Sequence, residues 1–472
     1  MGPMRTVVVL VVLLALTPAR ALDGRRLHVH RGRLLDERRR EVTLRGVNAR
    51  VEGIFDVTFD DGRLPLEPIP VFDDGDAATM ERFGFNLLRL PISWSALEPA
   101  RGRFDAAYLD RIAGVLALCR SHGILVLLDF HQDAFSKEIG EDGAPRWVLD
   151  LLLGPNGYPY LGGPLTDLGA RRLAPATLAA FRQFFLDAGG VQADLAAAAV
   201  VLAHRFAREP AVLGYEIMNE PLAFLVPNGD VALLAFHVRL ARAIRRVDHR
   251  HLVAFEPDAI RNATNAAPVP TTPFPVRGAL YAPHVYTDVF DGHDYSSGDP
   301  AELAPSMERA AAEARGWGAP LLVGEYGIDP NASNANAWIT AELDLQDHLR
   351  THSAFWLWEE ISQGRWGLFD GESSEPDGER IARTTALSRV YARAVPGRVL
   401  EHAFDAAANT LRLRYVARGT APLELFVPPR RYPGGFAVRC NGRPVATSPG
   451  PVVTLRCGRG RGERLVELSP AS

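Results

Sequence analysis

The sequence has no excess of positive charge. Its 52 Lys and Arg residues are outnumbered by 56 Asp and Glu residues, giving a net charge of −4, which leaves no basic stripe of the kind that binds nucleic acid. We therefore expect no nucleic-acid partner, and we interpret the arginine clusters at 38–40 and 430–431 as solvated turns. With 472 residues of ordinary globular composition, the chain is long enough for one large domain plus a small one.

Long apolar runs are also missing beyond the first 21 residues, so no later segment is expected to cross a bilayer. The run at 7–16 follows Arg5 and precedes Ala19-Arg20-Ala21, a small-x-small cleavage pattern. Because the run is short for a bilayer span, a retained anchor is the less favoured alternative. We predict that residues 1–21 are a secretion signal and that the mature protein, starting near Leu22, is soluble and secreted to the extracellular space or periplasm.

Cysteine is scarce, with three residues in the whole chain. Cys440 and Cys457 lie in one C-terminal segment and could close a loop there in an oxidising compartment, but the sequence leaves their bonding open. Cys119 falls in the apolar pattern of a helix and is interpreted as a buried free thiol. No Cys/His cluster has zinc spacing and the histidines are scattered, so we expect no metal and no cofactor.

The chain does contain a largely regular alternation of apolar strands and amphipathic helices. Continuous apolarity, as at 124–130, is typical of strands covered on both faces. Eight strands are predicted, in the segments 42–48, 86–91, 124–130, 211–220, 252–256, 279–284, 320–325 and 354–358. Helices are predicted between them at 108–122, 175–185, 192–208, 231–247, 301–316, 334–349 and 381–394. This pattern predicts an α/β fold, a (β/α)₈ TIM barrel over residues 22–395, with a hairpin before Asn48 closing its floor.

The pattern changes at Pro396-Gly397. Short alternating runs at 411–415, 423–427, 452–456 and 465–468 follow, separated by Gly, Pro and Asn turns. Alternation of this kind predicts a compact C-terminal β-sandwich domain over residues 396–472.

Two predicted strands end on glutamates. One reads Asn219-Glu220-Pro221, and another, three strands further on, ends at Glu325. Parallel barrels place their chemistry at the carboxyl ends of the strands, so both carboxylates are expected on one face. A pair of carboxyls on one site is what glycoside hydrolysis requires. The alternative is that each glutamate forms a structural pair with an arginine.

Several motifs together resemble the endoglycoceramidase branch of glycoside hydrolase family 5, over about residues 44–370. Each is modest alone, but their order and strand-end placement agree. They are His131-Gln-Asp133, residues 138–145 (EIGEDGAP), Asn219-Glu220-Pro221, residues 282–286 (APHVY), Gly324-Glu-Tyr-Gly327 and residues 356–364 (WLWEEISQG). The resemblance implies that Glu220 is the general acid/base and Glu325 the nucleophile of a retaining enzyme.

The resemblance also implies which residues surround those two carboxylates. Arg89 is expected to keep the nucleophile ionised, Asn219 to bind the sugar 2-hydroxyl, and Trp358, rather than the deeper Trp356, to stack on the sugar. Structural roles remain the alternatives for Arg89, His131 and the two tryptophans. The implied substrate-binding set is Arg89, His131, Asp133, Asn219, His284, Tyr286 and Trp358.

Apolar stretches at 147–161 and 222–227 follow barrel strands and would lie on the catalytic face. They either form a local core of the loops or bind an apolar group such as ceramide. We expect a secreted retaining glycoside hydrolase that cleaves between the glycan and the ceramide of glycosphingolipids, presented in a membrane or micelle and without an obligate protein partner. The alternatives are a β-glucanase or β-glycosidase acting on soluble glycans, and a non-catalytic glycolipid-binding protein. The sequence leaves open the sugar preference, glycan length, oligomeric state and any need for an activator.

Overall fold

Eight parallel strands form the central sheet of the computed structural model, which describes residues 26–290, 294–360, 366–370, 378–458 and 460–471. Each strand pairs with its neighbours in sequence, and a bridge from Tyr281 to Leu321 closes the ring. The predicted (β/α)₈ barrel is therefore confirmed. Its strands are Arg45–Asn48, Leu87–Ser93, Leu125–His131, Val212–Glu216, Leu252–Phe255, Ala279–Tyr281, Leu322–Tyr326 and His352–Phe355. The predicted secretion signal (1–21) and residues 361–364 of the last motif lie outside the described residues.

Helices surround the barrel close to the predicted positions. The helix Asp74–Phe83 was not predicted, although Asp73 and Asp76 form a capping box at its start and Gly84 ends it with φ 88°. The α-helices are Asp74–Phe83, Trp94–Leu97, Ala106–Ser121, Arg146–Leu153, Leu168–Arg172, Pro175–Phe185, Val191–Phe206, Gly229–Arg245, Arg261–Thr264, Ala304–Trp317, Ala335–Leu349 and Ile381–Leu387. Short 3₁₀ turns occur at Ala188–Gly190, Ala223–Leu225, Pro300–Glu302 and Pro429–Arg431.

The N-terminal hairpin closes the floor of the barrel, as predicted. Leu27, Leu34, Val42 and Leu44 are buried in one cluster with residues from the first halves of the strands, among them Leu87. Burying these apolar side chains removes the open bottom of the barrel from water. The opposite, carboxyl end of the strands is left as the accessible face.

The C-terminal region forms two antiparallel sheets that share one buried core, which confirms the predicted β-sandwich. One sheet contains Gly397–Asp405, Thr410–Ala417, Gly462–Pro470, Phe436–Cys440 and Arg443–Pro444. The other combines the N-terminal strands with C-terminal ones, in the order His28–Val29, Leu34–Leu35, Glu41–Val42, Tyr391–Val395, Leu423–Phe426 and Val452–Leu455.

One predicted helix is too long. The segment predicted as a helix over 381–394 is helical only at Ile381–Leu387, and Tyr391–Val395 is a strand. This strand pairs on one side with Glu41–Val42 and on the other with Leu423–Phe426. Pairing on both edges, with apolar residues buried on the strand, outweighs the helix propensity of its alanines and arginines.

The cysteines occupy two environments. Cys440 and Cys457 form a disulfide across 17 residues of chain, with a Cα–Cα distance of 5.6 Å, and Cys119 is a buried free thiol as predicted. No single helix of the described part of the chain is both long and apolar enough to cross a bilayer. The helical segments 175–185 and 188–206 meet that test only as a pair bent by 81°.

We predict that Gly84→Ala destabilises the protein. A Cβ on Gly84 would lie 2.3 Å from the ring of Phe426, and φ 88° is strained for alanine. The expected loss in the free energy of unfolding is about 1–3 kcal/mol, measured by urea denaturation. Gly114→Ala is the matched control, because Gly114 is exposed on a helix with open space around it, and it should stabilise by about 0.4–1 kcal/mol. Equal effects of the two changes would contradict this packing.

Candidate active site

Glu220 lies beyond the end of the fourth barrel strand, which stops at Glu216 rather than at residue 220. Its backbone has φ 42°, an uncommon value for a residue with a side chain. Three hydrogen bonds hold this conformation: Gln132 Nε2 donates to the carbonyls of Asn219 and Glu220, and the Glu220 N–H donates to Glu256. The carboxylate is therefore held at a strained position, which is common at functional sites.

Glu325 lies within the seventh barrel strand, Leu322–Tyr326. Its Oε1 accepts from Nη1 of Arg89 at 2.6 Å, and its Oε2 accepts from the Tyr286 hydroxyl at 2.9 Å. Arg89 can only donate, so this contact favours the ionised carboxylate. The Glu325 side chain is almost fully buried.

His284 lies between the two glutamates. Its Nδ1 is 2.8 Å from Glu220 Oε1 and 3.4 Å from Glu325 Oε2. Carboxylate oxygens of Glu220 and Glu325 lie within 4.8 Å of each other and of this ring nitrogen. The two carboxylates thus face a common space at the carboxyl end of the barrel.

A buried arginine holds Glu325 and several neighbouring polar groups from below. The Arg89 guanidinium is fully buried, and it contacts four carboxylates and two amide oxygens. Its partners are Asn48, Asp129, Glu216, Asn219, Glu256 and Glu325, at 2.6–3.2 Å. Because all of these groups come from strand ends, one side chain fixes the relative positions of several strands.

The charges of the site follow from these contacts. Burial lowers the pKa of His284, but the carboxylates of Glu256 and Glu325 outweigh it and hold this pKa well above its usual range. Burial raises the pKa of Glu220, yet the hydrogen bond from His284 and the charge of Arg172 leave it below its ordinary value. Burial leaves the pKa of Glu325 above its ordinary value, although His284 and Arg89 oppose this effect.

A pocket with a volume of about 370 Å³ opens above the two carboxylates, a size suited to a small polar ligand. Its lining includes both charged and aromatic side chains. Phe290 and Trp366 stack with ring centroids 5.6 Å apart, and Phe290 is half exposed. The lining residues are Arg50, Asp133, Glu141, Leu168, Gly169, Arg172, Asn219, Glu220, Tyr286, Phe290, Glu325, Trp356, Glu360 and Trp366.

The predicted binding residues divide into two groups. Asp133, Asn219 and Tyr286 line the pocket together with the two glutamates. Arg89, His131 and His284 do not line it: they are buried behind the lining residues and contact those residues instead. Of these three, His131 was expected to hydrogen-bond sugar hydroxyls, but it is buried and contacts Asp133 instead. Arg89 was expected to hold Glu325 and His284 to lie beside the two carboxylates, and the structure places them there.

Trp358 does not occupy the sugar-stacking position that the sequence predicted for it. It was predicted to stack on the sugar, but it is 2% exposed and packs against Phe83, Phe85 and Phe369, with Nε1 donating to Asp76. Trp356 lines the pocket instead, and its ring stacks on His131 at 5.6 Å. The eighth strand ends at Phe355, so strand alternation no longer indicates the direction of these two side chains.

The apolar stretches predicted on the catalytic face do not line the pocket. The helix Arg146–Leu153 buries Val148, Leu149 and Leu152 and packs against Pro175–Phe185, so the local-core alternative applies to this stretch. In the second stretch Phe224 is half exposed, but it is also absent from the pocket lining. The aromatic surface of the site is supplied by later residues, Phe290, Trp356 and Trp366.

Several pocket residues were missed by the sequence reasoning. Arg172 ends a five-residue helix inside the long connection after the third strand. Arg50 lies after the first strand and pairs with the carboxylates of Glu67, Glu141 and Glu360 at 2.6–3.0 Å. The length of the connection indicated function, but nothing in its local pattern selects one arginine from its neighbours.

Three groups of side chains have the donor atoms and spacing to hold a metal ion, with atoms within 4.8 Å of one another. Members of each group already form close pairs with carboxylates: His131 pairs with Asp129, and His284 pairs with Glu220 and Glu256. The sequence prediction of no metal and no cofactor stays a prediction. The groups are His131, Asp133 and Asp142; Glu216, Glu256 and His284; and Glu220, His284 and Glu325.

Comparison with known proteins supplies the family. Residues 73–362 match the family described as Cellulase (glycosyl hydrolase family 5), and residues 389–463 match the glycoside hydrolase family 5 C-terminal domain. The chain belongs to glycoside hydrolase family 5. It is therefore a glycoside hydrolase, and its predicted resemblance to the endoglycoceramidase branch is confirmed by individual relatives.

Those relatives cover most of the chain. Endoglycoceramidase I of Rhodococcus hoagii is 31% identical over 92% of this chain and 86% of its own length. An endoglycoceramidase of Hydra vulgaris is 25% identical over 78% and 75%. Among solved structures, endo-glycoceramidase II from a Rhodococcus species, in a ganglioside GM3 complex, is similar with a TM-score of 0.79 at 26% identity, covering 94% of this chain and all of that one.

We predict that the two tryptophans separate activity from stability in this family 5 member. Trp356→Ala should lower kcat/KM by about 10- to 100-fold, because about 1–3 kcal/mol of contact with the bound sugar is lost. Trp358→Phe should leave kcat/KM unchanged and lower the free energy of unfolding by about 1–2 kcal/mol, because the Nε1 bond to Asp76 is lost. Steady-state kinetics and urea denaturation distinguish the two. The reverse result would restore Trp358 as the sugar platform.

Proposed function

We propose that the chain is a retaining β-glycoside hydrolase that cleaves the bond between the glycan and the ceramide of glycosphingolipids. The observation that carries the retaining mechanism is the separation of the two carboxylates, whose oxygens lie within 4.8 Å. Retaining enzymes hold their carboxyls about 5–5.5 Å apart, whereas inverting enzymes need about 6.5–9.5 Å to admit a water between them. The described geometry fits the first class.

In the first step Glu325 attacks the anomeric carbon and forms a glycosyl ester. Arg89 and Tyr286 hold its two oxygens, so the attacking oxygen is presented in a fixed direction. Glu220 gives its proton to the departing oxygen of the ceramide, which leaves as an alcohol. Asn219 lines the pocket beside both carboxylates and is assigned to the sugar 2-hydroxyl, where a hydrogen bond strengthens as the transition state forms.

In the second step water hydrolyses the glycosyl ester. Glu220, now ionised, takes a proton from the water, which attacks the anomeric carbon and releases Glu325 as a carboxylate. The cationic His284 beside both glutamates supports this exchange, because it stabilises whichever carboxylate is ionised. Two inversions at one carbon retain the β configuration of the released glycan.

The lipid part of the proposal is supported by the relatives and by the pocket. Endoglycoceramidases from Rhodococcus hoagii and Hydra vulgaris align over most of the chain. The stacked rings of Phe290 and Trp366 give the pocket an apolar side beside its charged side. A ligand with a polar sugar and an apolar aglycone matches that division, and a micelle or membrane is the expected source of such a lipid.

Export from the cell is part of the proposal. The disulfide between Cys440 and Cys457 supports it, because disulfides persist in oxidising compartments. The secretion signal predicted at 1–21 supports it as well. We propose an extracellular or periplasmic enzyme that needs no cofactor and no obligate protein partner.

A second candidate function is hydrolysis of soluble β-glycans. The charged lining of the pocket, which includes Arg50, Glu141 and Glu360, suits the hydroxyls of any sugar, and the matching family is described as cellulase. This candidate has no explanation for an apolar surface at the pocket edge beyond sugar stacking, so the lipid substrate is favoured.

A panel of substrates tests the choice. Glucosyl-, lactosyl-, galactosyl- and ganglioside-type lipids in detergent should be cleaved to intact glycan and ceramide, identified by mass spectrometry, while cellooligosaccharides should be cleaved slowly or not at all. Glu325→Gln measured in parallel controls for contaminating activity. Rapid hydrolysis of cellooligosaccharides with all lipids left intact would favour the soluble-glycan enzyme.

Substitution of the two glutamates tests their roles. Glu325→Gln should lose about 10⁴-fold or more in kcat on every substrate, because no ester can form. Glu220→Gln should lose about 10²–10⁴-fold on glycosylceramides but far less in the first step on an activated aryl β-glycoside, whose leaving group needs no proton. Pre-steady-state kinetics on that aryl glycoside measures the first step alone. Normal turnover by Glu325→Gln would show that the assignment is wrong.

A further inference from the structure

Arg172 brings an additional positive charge to Glu220. It ends the helix Leu168–Arg172, and its guanidinium lines the pocket with 38% of the side chain exposed. Nη2 forms a short ion pair with Asp133 Oδ1 and lies 4.0 Å from Glu220 Oε2. Asp133 is buried, and its own N–H donates to Asp142, so the ion pair fixes the guanidinium on the side of the pocket next to Glu220.

The two oxygens of Glu220 have different surroundings. Oε1 accepts from His284 at 2.8 Å and from Asn262 at 2.5 Å, which occupies it. Oε2 faces Arg172 across the pocket side of the carboxylate. A proton delivered to a bound substrate must come from the oxygen that is open to the pocket, so Arg172 lies next to the oxygen that does the transfer.

The other ionisable groups facing Glu220 come from every element packed around it. The fifth strand end contributes Glu256, the sixth His284 and Tyr286, the seventh Glu325, and the connection after the third strand Asp133 and Arg172. His284 is shared with Glu256 and Glu325, so its charge is divided among three carboxylates. The charge of Arg172 acts on its ion-pair partner Asp133, on Glu220 and on Glu141.

We propose that Arg172 is a positioning residue for the acid/base step: held by Asp133, it places a positive charge beside the proton-carrying oxygen of Glu220 and so sets the pH range over which Glu220 can donate. This inference rests on the proposed role of Glu220 as general acid. Arg172 favours the ionised form, which the second step requires, and it limits the first step to the pH range in which Glu220 still holds its proton.

The sign of the effect follows directly. A nearby guanidinium stabilises a carboxylate and lowers its pKa, so removal of the charge raises the pKa of Glu220. Because the first step needs protonated Glu220, the alkaline limb of the kcat/KM profile must then move to higher pH. A neighbouring arginine lowers the pKa of a carboxyl group by about 1–3 units, and the partly exposed Arg172 should act at the lower end of that range. We therefore expect a shift of about one pH unit.

Kinetic pH profiles of four variants test the proposal. Arg172→Gln and Arg172→Met should each move the alkaline limb of kcat/KM up by about one pH unit. Arg172→Lys, which keeps the charge, should move it less. Arg171→Gln is the matched control on the same helix: Arg171 donates to the carbonyl of Gly140, and its charge acts on Glu141 and Asp167 rather than on Glu220, so its profile should not move.

Two results would overturn the proposal. One is an unchanged alkaline limb in both neutral variants, and the other is an equal shift in Arg171→Gln, which would indicate a general loosening of the helix. A direct titration keeps this test separate from the proposed function. The ¹³C carboxyl signal of Glu220, identified by its loss in Glu220→Gln, should titrate about one pH unit higher in Arg172→Gln even if the enzyme cleaves no glycolipid.

Discussion

The structure depends on one buried guanidinium. Arg89 is completely enclosed within the second strand, and a charge buried in this way is tolerated only when it is fully paired. Its pairs with Asp129, Glu216, Glu256 and Glu325 join the ends of the third, fourth, fifth and seventh strands. The closed barrel therefore brings several carboxylates together around one cation, and the proposed nucleophile Glu325 is one of them.

A second cation completes the arrangement. His284 lies above Arg89 among Glu220, Glu256 and Glu325, and these carboxylates keep it protonated. Without it, two carboxylates within 4.8 Å would repel each other in a site of low polarity. With it, either glutamate can be ionised while the other reacts. The proposed retaining mechanism uses both cations, one that fixes the proposed nucleophile and one that balances the charge of the two carboxylates.

Much of this arrangement could be predicted from the sequence because barrel topology converts strand ends into neighbours. Glu220 and Glu325 are separated by about a hundred residues, yet both follow apolar strands, and parallel strands of a barrel end on one face. Arg89, His284 and Tyr286 were instead assigned from the resemblance to glycoside hydrolase family 5. The sandwich was predicted from the alternation of apolar residues. The pairing of one of its two sheets with the N-terminal hairpin was not predicted, since pairing between distant segments leaves no local pattern.

The errors occurred where the chain leaves regular structure. Trp358 was preferred to the deeper Trp356 on a predicted strand that ran to residue 358, whereas the strand ends at Phe355 and Trp356 is the one that lines the pocket. Arg172 and Phe290 come from connections, whose paths are set by contacts that only the folded chain makes. For the stretch 147–161 the sequence left open a local core or an apolar binding surface, and in the structure its helix buries apolar side chains beside a neighbouring helix.

The central claim is that Glu325 forms the covalent bond to the sugar. In a 2-deoxy-2-fluoro β-glycosyl fluoride, the fluorine at C2 slows both steps. The anomeric fluoride departs without needing a proton, so the ester forms and then accumulates. Intact-protein mass spectrometry should show one added fluoroglycosyl group, and digestion should place it on the peptide that contains Glu325. Labelling of a different residue, or time-dependent turnover with no covalent adduct at any stage, would contradict the account.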